Sequence, residues 1–206
     1  GTGFVVADGL TVVTNAHVLP TVLDPGRAEV LAVAIPASGS TPASVREATR
    51  IAVDFDSDLA LLKLTGAPLP ALRVRDSSTV REGQEILLTG YPIGPVLGLV
   101  PATHRGIVAA ITPIAIPQAR AGNLDAAVVR RLGSGSGPFP VFQLDATAYP
   151  GSSGSPLYDP TSAEVLGIVN MVFVKGTKET VLTQPSGITY AIPANHLRDL
   201  LQKVSP

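Results

Sequence analysis

Prolines and glycines interrupt this chain along its whole length, and no other feature limits its possible folds as strongly. The 206 residues include 19 prolines and 20 glycines. Proline removes a backbone donor and breaks helix interiors, while glycine favours turns. This composition favours many short strands over long helices and predicts an all-β fold. Because 45% of the residues are hydrophobic and only 15% are charged, the chain can bury a sizeable core.

The stretch at residues 143–158 places a serine between two turns of small residues. Its centre reads Gly-Ser-Ser-Gly-Ser-Pro at residues 151–156. A nucleophilic hydroxyl needs backbone close to a substrate carbonyl, with amide groups free to donate. Gly151 has no side chain to shield its N–H, and Gly154 allows a sharp turn after Ser153. Taken alone, the pattern also fits an ordinary surface turn, because Gly/Ser-rich turns are common.

Two other stretches give the serine a chemical context. Thr-Asn-Ala-His-Val at residues 14–18 follows a strand-like segment and carries His17. Asp58 leads directly into the apolar strand predicted at residues 59–64. An isolated histidine or aspartate is more often structural than catalytic, so it is the combination of the three stretches that indicates a hydrolytic site.

In this order, the three stretches resemble the trypsin-like serine proteases, most closely the bacterial Deg/HtrA-type branch. Further segments fit the same family at residues 1–6, 165–169 and 187–193. The resemblance implies two six-stranded antiparallel β-barrels of the chymotrypsin type. The apolar spacing of Leu197, Leu200 and Leu201 after Pro193 predicts a C-terminal helix at residues 194–204. The expected domains are an N-terminal barrel at 1–82 and a C-terminal barrel at 83–206. The first strand of the first barrel is expected to be missing from this chain, and no PDZ-like module is expected after it.

The resemblance also implies the roles of the candidate residues. His17 matches the general base, Asp58 the carboxylate that orients it, and Ser153 the nucleophile. The oxyanion hole is assigned to residues 151–153, namely Gly151, Ser152 and Ser153, with the backbone N–H groups of Gly151 and Ser153 as donors. The chemistry needs these types, because a serine hydroxyl is a weak nucleophile until a neutral imidazole takes its proton.

Rival residues stand close to two of the three positions. Asp54 and Asp56 precede Asp58, but the family's acid lies directly before the Leu-Ala-Leu-Leu strand. Ser152 and Ser155 flank the Ser153-Gly154 pair. Ser152 stands where close relatives carry Asn or Asp, and Ser155 where most carry Gly. Both residues are small enough to preserve the turn, which leaves the detailed shape of the oxyanion hole open.

A substrate pocket is implied by the same matching. Its floor is expected at Thr147, six residues before the nucleophile, and its walls at Asn170, Met171, Val172, Gly187, Ile188 and Thr189. None of these residues is charged. The pocket is therefore expected to favour small or medium apolar side chains on the acyl side of the cleaved bond. The alternative is that these residues face the barrel core.

Local patterns give expectations for individual elements. Asp8 and Gly9 are expected to form a hairpin turn, and Asn15 to cap a single helical turn that carries His17. Strands are predicted at residues 59–64 and 85–90. The stretch at 113–140 is the least family-like part of the chain, with a short helix predicted at residues 123–132.

Composition excludes several other classes of protein. The net charge is −1 with no basic run, and there are only four tyrosines, five phenylalanines and no tryptophan, so nothing indicates a nucleic-acid partner. The absence of cysteine excludes a cysteine nucleophile and a disulfide scaffold, and fits the bacterial branch of the family. No cluster has metal-ligand spacing, so no metal or cofactor is expected. The longest uncharged run, at about residues 86–103, contains three prolines and predicts no membrane span.

The predicted function is that of a serine endopeptidase acting on polypeptides, with a periplasmic or secreted location implied by the resemblance. A catalytically weak or inactive peptide-binding module of the same fold is the alternative. An α/β-hydrolase using Ser153, Asp159 and His196 has the right residue order but lacks the helix that should follow its nucleophile. The sequence does not give the oligomeric state.

Overall fold

The computed structural model describes residues 1–20, 29–92, 100–113, 139–170 and 188–204. Short strands dominate these ranges, which confirms the all-β prediction. The predicted helix at residues 123–132 lies outside the described residues. No described helix is long and apolar enough to cross a membrane.

The N-terminal half of the chain forms a five-stranded antiparallel sheet. Its strands run in the order β1-β2-β5-β4-β3, and their bounds are Phe4–Val6 (β1), Thr11–Asn15 (β2), Leu31–Ile35 (β3), Ser44–Asp54 (β4) and Leu59–Leu64 (β5). The turn between β1 and β2 follows the prediction, since Gly9 has a φ of +76° and Asp8 Oδ1 accepts the Leu10 N–H at 3.0 Å. The described strands of this half form an open sheet.

The C-terminal half closes into a six-stranded barrel, as predicted. The order around it is β10-β11-β8-β7-β6-β9, and the bounds are Glu85–Gly90 (β6), Ala102–Pro113 (β7), Pro140–Asp145 (β8), Pro156–Tyr158 (β9), Val165–Asn170 (β10) and Ile188–Pro193 (β11). Its interior is filled by apolar side chains that alternate inward along the strands, among them Ile86, Leu88, Leu144 and Leu157, all fully buried.

One helix follows the barrel, α1 at Ala194–Val204, and its apolar face packs between the two halves. Leu197 and Leu200 join a buried cluster that also contains β1, β2 and β5 side chains and residues from β10 and β11. The two halves therefore share a core. The domain boundary at 82/83 stays a prediction.

Candidate active site

Strand register brings His17 and Asp58 together. β2 ends at Asn15 and β5 begins at Leu59, and these two residues are direct partners in the sheet. His17 lies two residues beyond the end of β2, in a single 3₁₀ turn at Ala16–Val18. Asp58 lies one residue before β5. Pairing of neighbouring strands thus brings the imidazole close to the carboxylate.

The carboxylate of Asp58 accepts three hydrogen bonds. Its Oδ2 lies 2.6 Å from His17 Nδ1, and its Oδ1 accepts the His17 backbone N–H at 2.9 Å. The amide nitrogen of Asn170 also donates to Oδ2, at 2.7 Å. These bonds hold the carboxylate plane fixed relative to the ring. They leave His17 Nε2, the other ring nitrogen, to face a reacting group.

Asp58 itself has an unusual backbone conformation. Its φ is +54°, in the left-handed region that few non-glycine residues occupy. Aspartate tolerates this region better than most residues. Its carbonyl accepts the Ala16 N–H and the Asn15 side-chain amide, both at 3.0 Å. The conformation is therefore held by the first residues of the 3₁₀ turn that carries His17.

The prediction that Asn15 caps this turn is wrong in its mechanism. Asn15 occupies the N-cap position, but its side chain makes no capping bond. The side chain is fully buried and reaches across to the Asp58 carbonyl instead. Asn15 therefore connects the ends of β2 and β5 and does not satisfy the backbone of its own turn.

The segment around Ser153 forms two consecutive tight turns. The Ser152 N–H donates to the Tyr149 carbonyl at 2.9 Å, and the Ser155 N–H to the Ser152 carbonyl at 3.0 Å. Gly151 and Gly154 have φ values of +103° and +86°. A Cβ at Gly154 would collide with the Thr2 carbonyl. Both glycines are therefore required by the backbone path on either side of Ser153.

Two backbone donors remain available beside Ser153. Among the residues that the structure describes, no acceptor receives the N–H of Gly151 or of Ser153. The N–H of Ser152, the third member of the predicted oxyanion hole, is already bonded to Tyr149. Ser152 thus lies between the two candidate donors without offering a third.

The nucleophile turn is attached to both halves of the molecule. The Gly154 N–H donates to the Val169 carbonyl of β10 at 2.9 Å, and the Val169 N–H returns a bond to the Ser155 carbonyl at 2.9 Å. From the N-terminal half, the Thr2 N–H donates to the Ser153 carbonyl at 2.8 Å. Val169 directly precedes Asn170, whose amide contacts Asp58. The turn and the His17–Asp58 pair are thereby linked through β10.

The structure brings the three predicted catalytic residues to one junction between the halves. Ser153 is buried, with 7% of its surface exposed, and the His17 side chain is 31% exposed. No hydrogen bond joins Ser153 Oγ to His17 within the described ranges. The rival Asp54 is engaged elsewhere, since its side chain accepts the N–H groups of Asp56 and Ser57 in the turn before Asp58.

The predicted substrate pocket is only partly described. Met171, Val172 and Gly187, and the side chain of Ile188, lie outside the described residues. Thr147 is half-buried. Asn170 and Thr189 are both buried and bonded internally, and their place in the pocket wall stays a prediction. Asn170 donates to Asp58, and the Thr189 hydroxyl donates to the Ala146 carbonyl at 2.7 Å.

Ser155, which replaces the usual glycine, is accommodated by a glycine elsewhere. Its hydroxyl is fully buried and has no hydrogen-bond partner among the described residues. A Cβ at Gly90, the last residue of β6, would collide with it. The two positions are thus complementary in volume, and Ser155 keeps the turn intact.

The other two histidines lie outside the His17–Asp58 pair. The His196 ring packs against Phe139 with centroids 4.3 Å apart, and burial lowers the pKa of this imidazole. His104 lies 6.0 Å, ring to ring, from Tyr149. No group of three or more metal-ligating side chains is found within the described part of the chain.

The fold, with His17 and Asp58 paired at the end of the N-terminal sheet, indicates a domain of the trypsin-like class. A family model described as a trypsin-like peptidase domain matches residues 1–168. The chain therefore belongs to the trypsin-like peptidase domain family.

Comparisons with individual proteins indicate the HtrA-type branch. The chain is 35% identical over 205 residues to the mitochondrial serine protease HTRA2 of Bos taurus, covering 98% of this chain and 36% of the relative. It is 26% identical over 204 residues to a probable periplasmic DegP-like serine endoprotease of Pseudomonas savastanoi, covering 99% and 34%. The chain thus spans about a third of the length of these relatives. Because mammalian as well as bacterial proteins match, the expected bacterial origin is not established.

Solved structures agree on the fold. The HtrA-type protease AlgW, determined with a decapeptide, superposes with a TM-score of 0.70 at 23% identity, covering 98% of this chain and 50% of that one. A serine endoprotease from Yersinia pestis gives a TM-score of 0.67 at 24% identity, covering 98% and 56%.

Proposed function

We propose that this chain is a serine endopeptidase that hydrolyses peptide bonds through an acyl-enzyme intermediate. The observation that carries the proposal is the 2.6 Å contact between His17 Nδ1 and Asp58 Oδ2, at the junction where the Ser153 turn presents two unused N–H groups. Base, orienting acid, nucleophile and oxyanion donors are the parts that peptide hydrolysis by serine requires.

In the first half-reaction, Ser153 Oγ attacks the substrate carbonyl carbon while His17 Nε2 takes the hydroxyl proton. Asp58 keeps the proton on Nδ1 and stabilises the imidazolium that forms. The carbonyl π electrons move to oxygen, which accepts hydrogen bonds from the Gly151 and Ser153 N–H groups. The tetrahedral intermediate then expels the amine, which receives its proton from His17.

In the second half-reaction, water attacks the ester formed on Ser153. His17 takes a proton from the water and returns it to Ser153 Oγ as the C–O bond breaks, which regenerates the enzyme. Loss of one oxyanion donor in such enzymes costs about 10²–10³ in rate. Catalytic hydrogen bonds often tighten only with substrate bound, so the nucleophile is expected to engage His17 in the complex.

The proposed substrate is a polypeptide cut after small or medium apolar residues. The pocket positions matched to the family carry no charge, so a buried Lys or Arg side chain would enter without a partner and lose several kcal/mol. An apolar side chain would gain roughly 1–3 kcal/mol from burial. Relatives that are named as periplasmic proteases support a periplasmic or secreted location for this chain. Relatives that are named as mitochondrial proteases support a mitochondrial location instead.

Cleavage-site profiling on a denatured protein mixture tests both the activity and the preference. The Ser153→Ala variant is the inactive control, and Ser162→Ala, in an exposed turn, is the matched serine control. We expect cuts after Val, Ala, Leu or Ile with wild type and Ser162→Ala, and none with Ser153→Ala. A dominant preference for charged residues would overturn the pocket assignment. No cleavage by wild type, with retained peptide binding, would favour the alternative of an inactive binding module.

A further inference from the structure

The hydroxyl of Thr2 contacts the nucleophile turn from the opposite half of the molecule. Thr2 precedes β1, is 149 residues away from Gly151 in the chain, and is 4% exposed. Its Oγ1 donates to the Gly151 carbonyl at 2.7 Å and accepts the Tyr91 N–H at 3.0 Å. The hydroxyl proton and an oxygen lone pair are thus both used, so the side chain has a fixed direction.

The main chain of Thr2 makes two more contacts with the site. Its N–H donates to the Ser153 carbonyl at 2.8 Å, and its carbonyl accepts the Thr14 hydroxyl at 2.7 Å. Thr14 lies on β2, three residues before His17. One residue therefore contacts the turn that carries Ser153 at two carbonyls, and also contacts the strand that leads to His17.

The bond to Gly151 matters because of the conformation of this glycine. At a φ of +103°, glycine can rotate the peptides on either side at low steric cost. The peptide between Gly151 and Ser152 is held at one end by the Ser152 N–H, which donates to Tyr149, and at the other by the Thr2 hydroxyl. Without the hydroxyl, only the first bond would restrain this peptide. The Gly151 N–H belongs to the preceding peptide, so it would be affected through a shift of the Gly151 main chain to which both peptides are attached.

We propose that the Thr2 hydroxyl is a positioning group for the oxyanion hole: by holding the Gly151 carbonyl, it keeps in place the residue that carries one of the two donor N–H groups. The inference rests on the proposed function. It assigns to the N-terminal half a part in transition-state stabilisation in addition to the base and the acid. Because it acts through Gly151, Thr2 affects the transition state more than the ground state.

The test compares variants of the full chain on a peptide substrate chosen from the cleavage profile. Thr2→Val removes the hydroxyl and keeps the branched shape, whereas Thr2→Ser keeps the hydroxyl. We expect Thr2→Val to lower kcat about 10–100-fold with KM changed less than about threefold, since misplacing a catalytic group by about 1 Å can cost 10²-fold. Thr2→Ser should recover activity to within about threefold of wild type on the same reasoning. Thr11→Val, the same change at a buried threonine that bonds Asp8, is the matched control and should leave kcat unchanged.

The affinity for a peptidyl boronate provides a second measurement, which general destabilisation of the fold would not change. Its tetrahedral adduct places an oxygen in the oxyanion hole, so its affinity should fall in proportion to kcat in Thr2→Val, while the affinity of a product peptide stays constant. Equal boronate affinity in wild type and Thr2→Val, or a loss in Thr2→Ser as large as in Thr2→Val, would overturn the proposal. If Thr2→Val does not fold, Thr2→Ser and Thr2→Ala decide, because both lack the methyl and differ only in the hydroxyl.

The outcome is separable from that of the proposed function. If wild type is inactive and its Ser153 unreactive, the endopeptidase itself is refuted. If wild type is active, Ser153→Ala is inactive and Thr2→Val equals wild type, only the role of Thr2 is refuted.

Discussion

The N-terminal sheet and the C-terminal barrel hold their candidate catalytic groups in different ways. In the sheet, His17 and Asp58 lie at the ends of neighbouring strands whose register pairs Asn15 with Leu59. In the barrel, Ser153 lies on a turn whose carbonyls and amides bond to residues far away in the chain. The acid–base pair is thus a local product of strand pairing, whereas the shape of the nucleophile turn depends on the two halves being in place together.

The same contrast appears in the buried residues. The barrel is closed around its own apolar cluster, and a second cluster is shared with the sheet and with α1. Strand β3 at one edge of the sheet and its neighbour β4 carry mostly exposed or half-buried residues. Since the shared cluster contains side chains from both halves, assembly of the site should follow from packing of the halves, and variants can test this from either side.

The largest effect is expected from removing one proposed catalytic group from each half. Ser153→Ala and His17→Ala should each lower kcat by about 10⁶, and the double variant should lose little more, because groups that act as a unit are not additive. Steady-state kinetics on the profiled peptide measures this. Losses that multiply in the double variant would mean that the sheet and the barrel contribute independently and that the roles are misassigned.

The second largest effect is expected from Asp58→Asn, which keeps His17 in the protein but changes the group that orients its ring. Asp58→Asn keeps the shape of the side chain but changes the group facing His17 Nδ1, so kcat should fall by about 10⁴ through the wrong ring tautomer. The thermal unfolding midpoint, measured alongside, controls for the left-handed conformation at this position, which asparagine also tolerates. A decrease in kcat of less than tenfold would show that Asp58 does not orient His17 as the base.

A smaller loss is expected when the barrel's contact with Asp58 is removed. Asn170→Ala deletes the 2.7 Å bond to Asp58 Oδ2 and leaves the bonds from His17. Hydrogen bonds to charged groups contribute about 1.5–3 kcal/mol, so kcat/KM should fall roughly 10–100-fold. Unchanged kcat/KM in a variant with a native unfolding midpoint would show that the sheet holds its acid without help from β10.

The smallest effect is expected on stability, from removing the charge of Asp76, which bonds Asn195 at the start of α1. Asp76 accepts bonds from the Asn195 side chain and the Ser78 N–H, each at 2.9 Å, with Arg198 nearby, and these lower its pKa to about 2. A carboxyl group whose pKa is lowered by folding stabilises the folded state at pH values above its pKa in the unfolded chain, about 3.9. This contribution to the free energy of unfolding is lost as the pH falls towards 2. Asp76→Asn should therefore lower the unfolding midpoint by roughly 1–2 °C at neutral pH, because the group is exposed. The difference from wild type should disappear near pH 2, and a constant difference would exclude the charge as its source.

Local patterns predicted elements whose boundaries depend on local signals. The strands at 59–64 and 85–90 and the helix at 194–204 agree with prediction to the residue. Proline and glycine mark their ends, and the apolar spacing is unambiguous. The three catalytic candidates likewise lie in short motifs that can be recognised without a structure.

Contacts made across the fold could not be predicted in the same way. Asn170 was predicted only as a pocket-wall residue, and its bond to Asp58, made at the end of β10, was not predicted. Thr2 carries no signal except its place in a short glycine-flanked segment, and the match of Gly90 to Ser155 joins positions 65 residues apart. Such roles depend on which strands meet, which one sequence does not specify by periodicity or spacing.

The most direct test of the account is to map the residue that a fluorophosphonate modifies. Such a probe forms a phosphonyl ester with an activated serine and leaves ordinary hydroxyls unmodified. Peptide mass spectrometry should find one adduct per chain, on Ser153, and labelling should be abolished by Ser153→Ala and strongly slowed by His17→Ala. An adduct on Ser152 or Ser155, or labelling that does not depend on His17, would contradict the claim that the sheet supplies the base for a nucleophile held by the barrel.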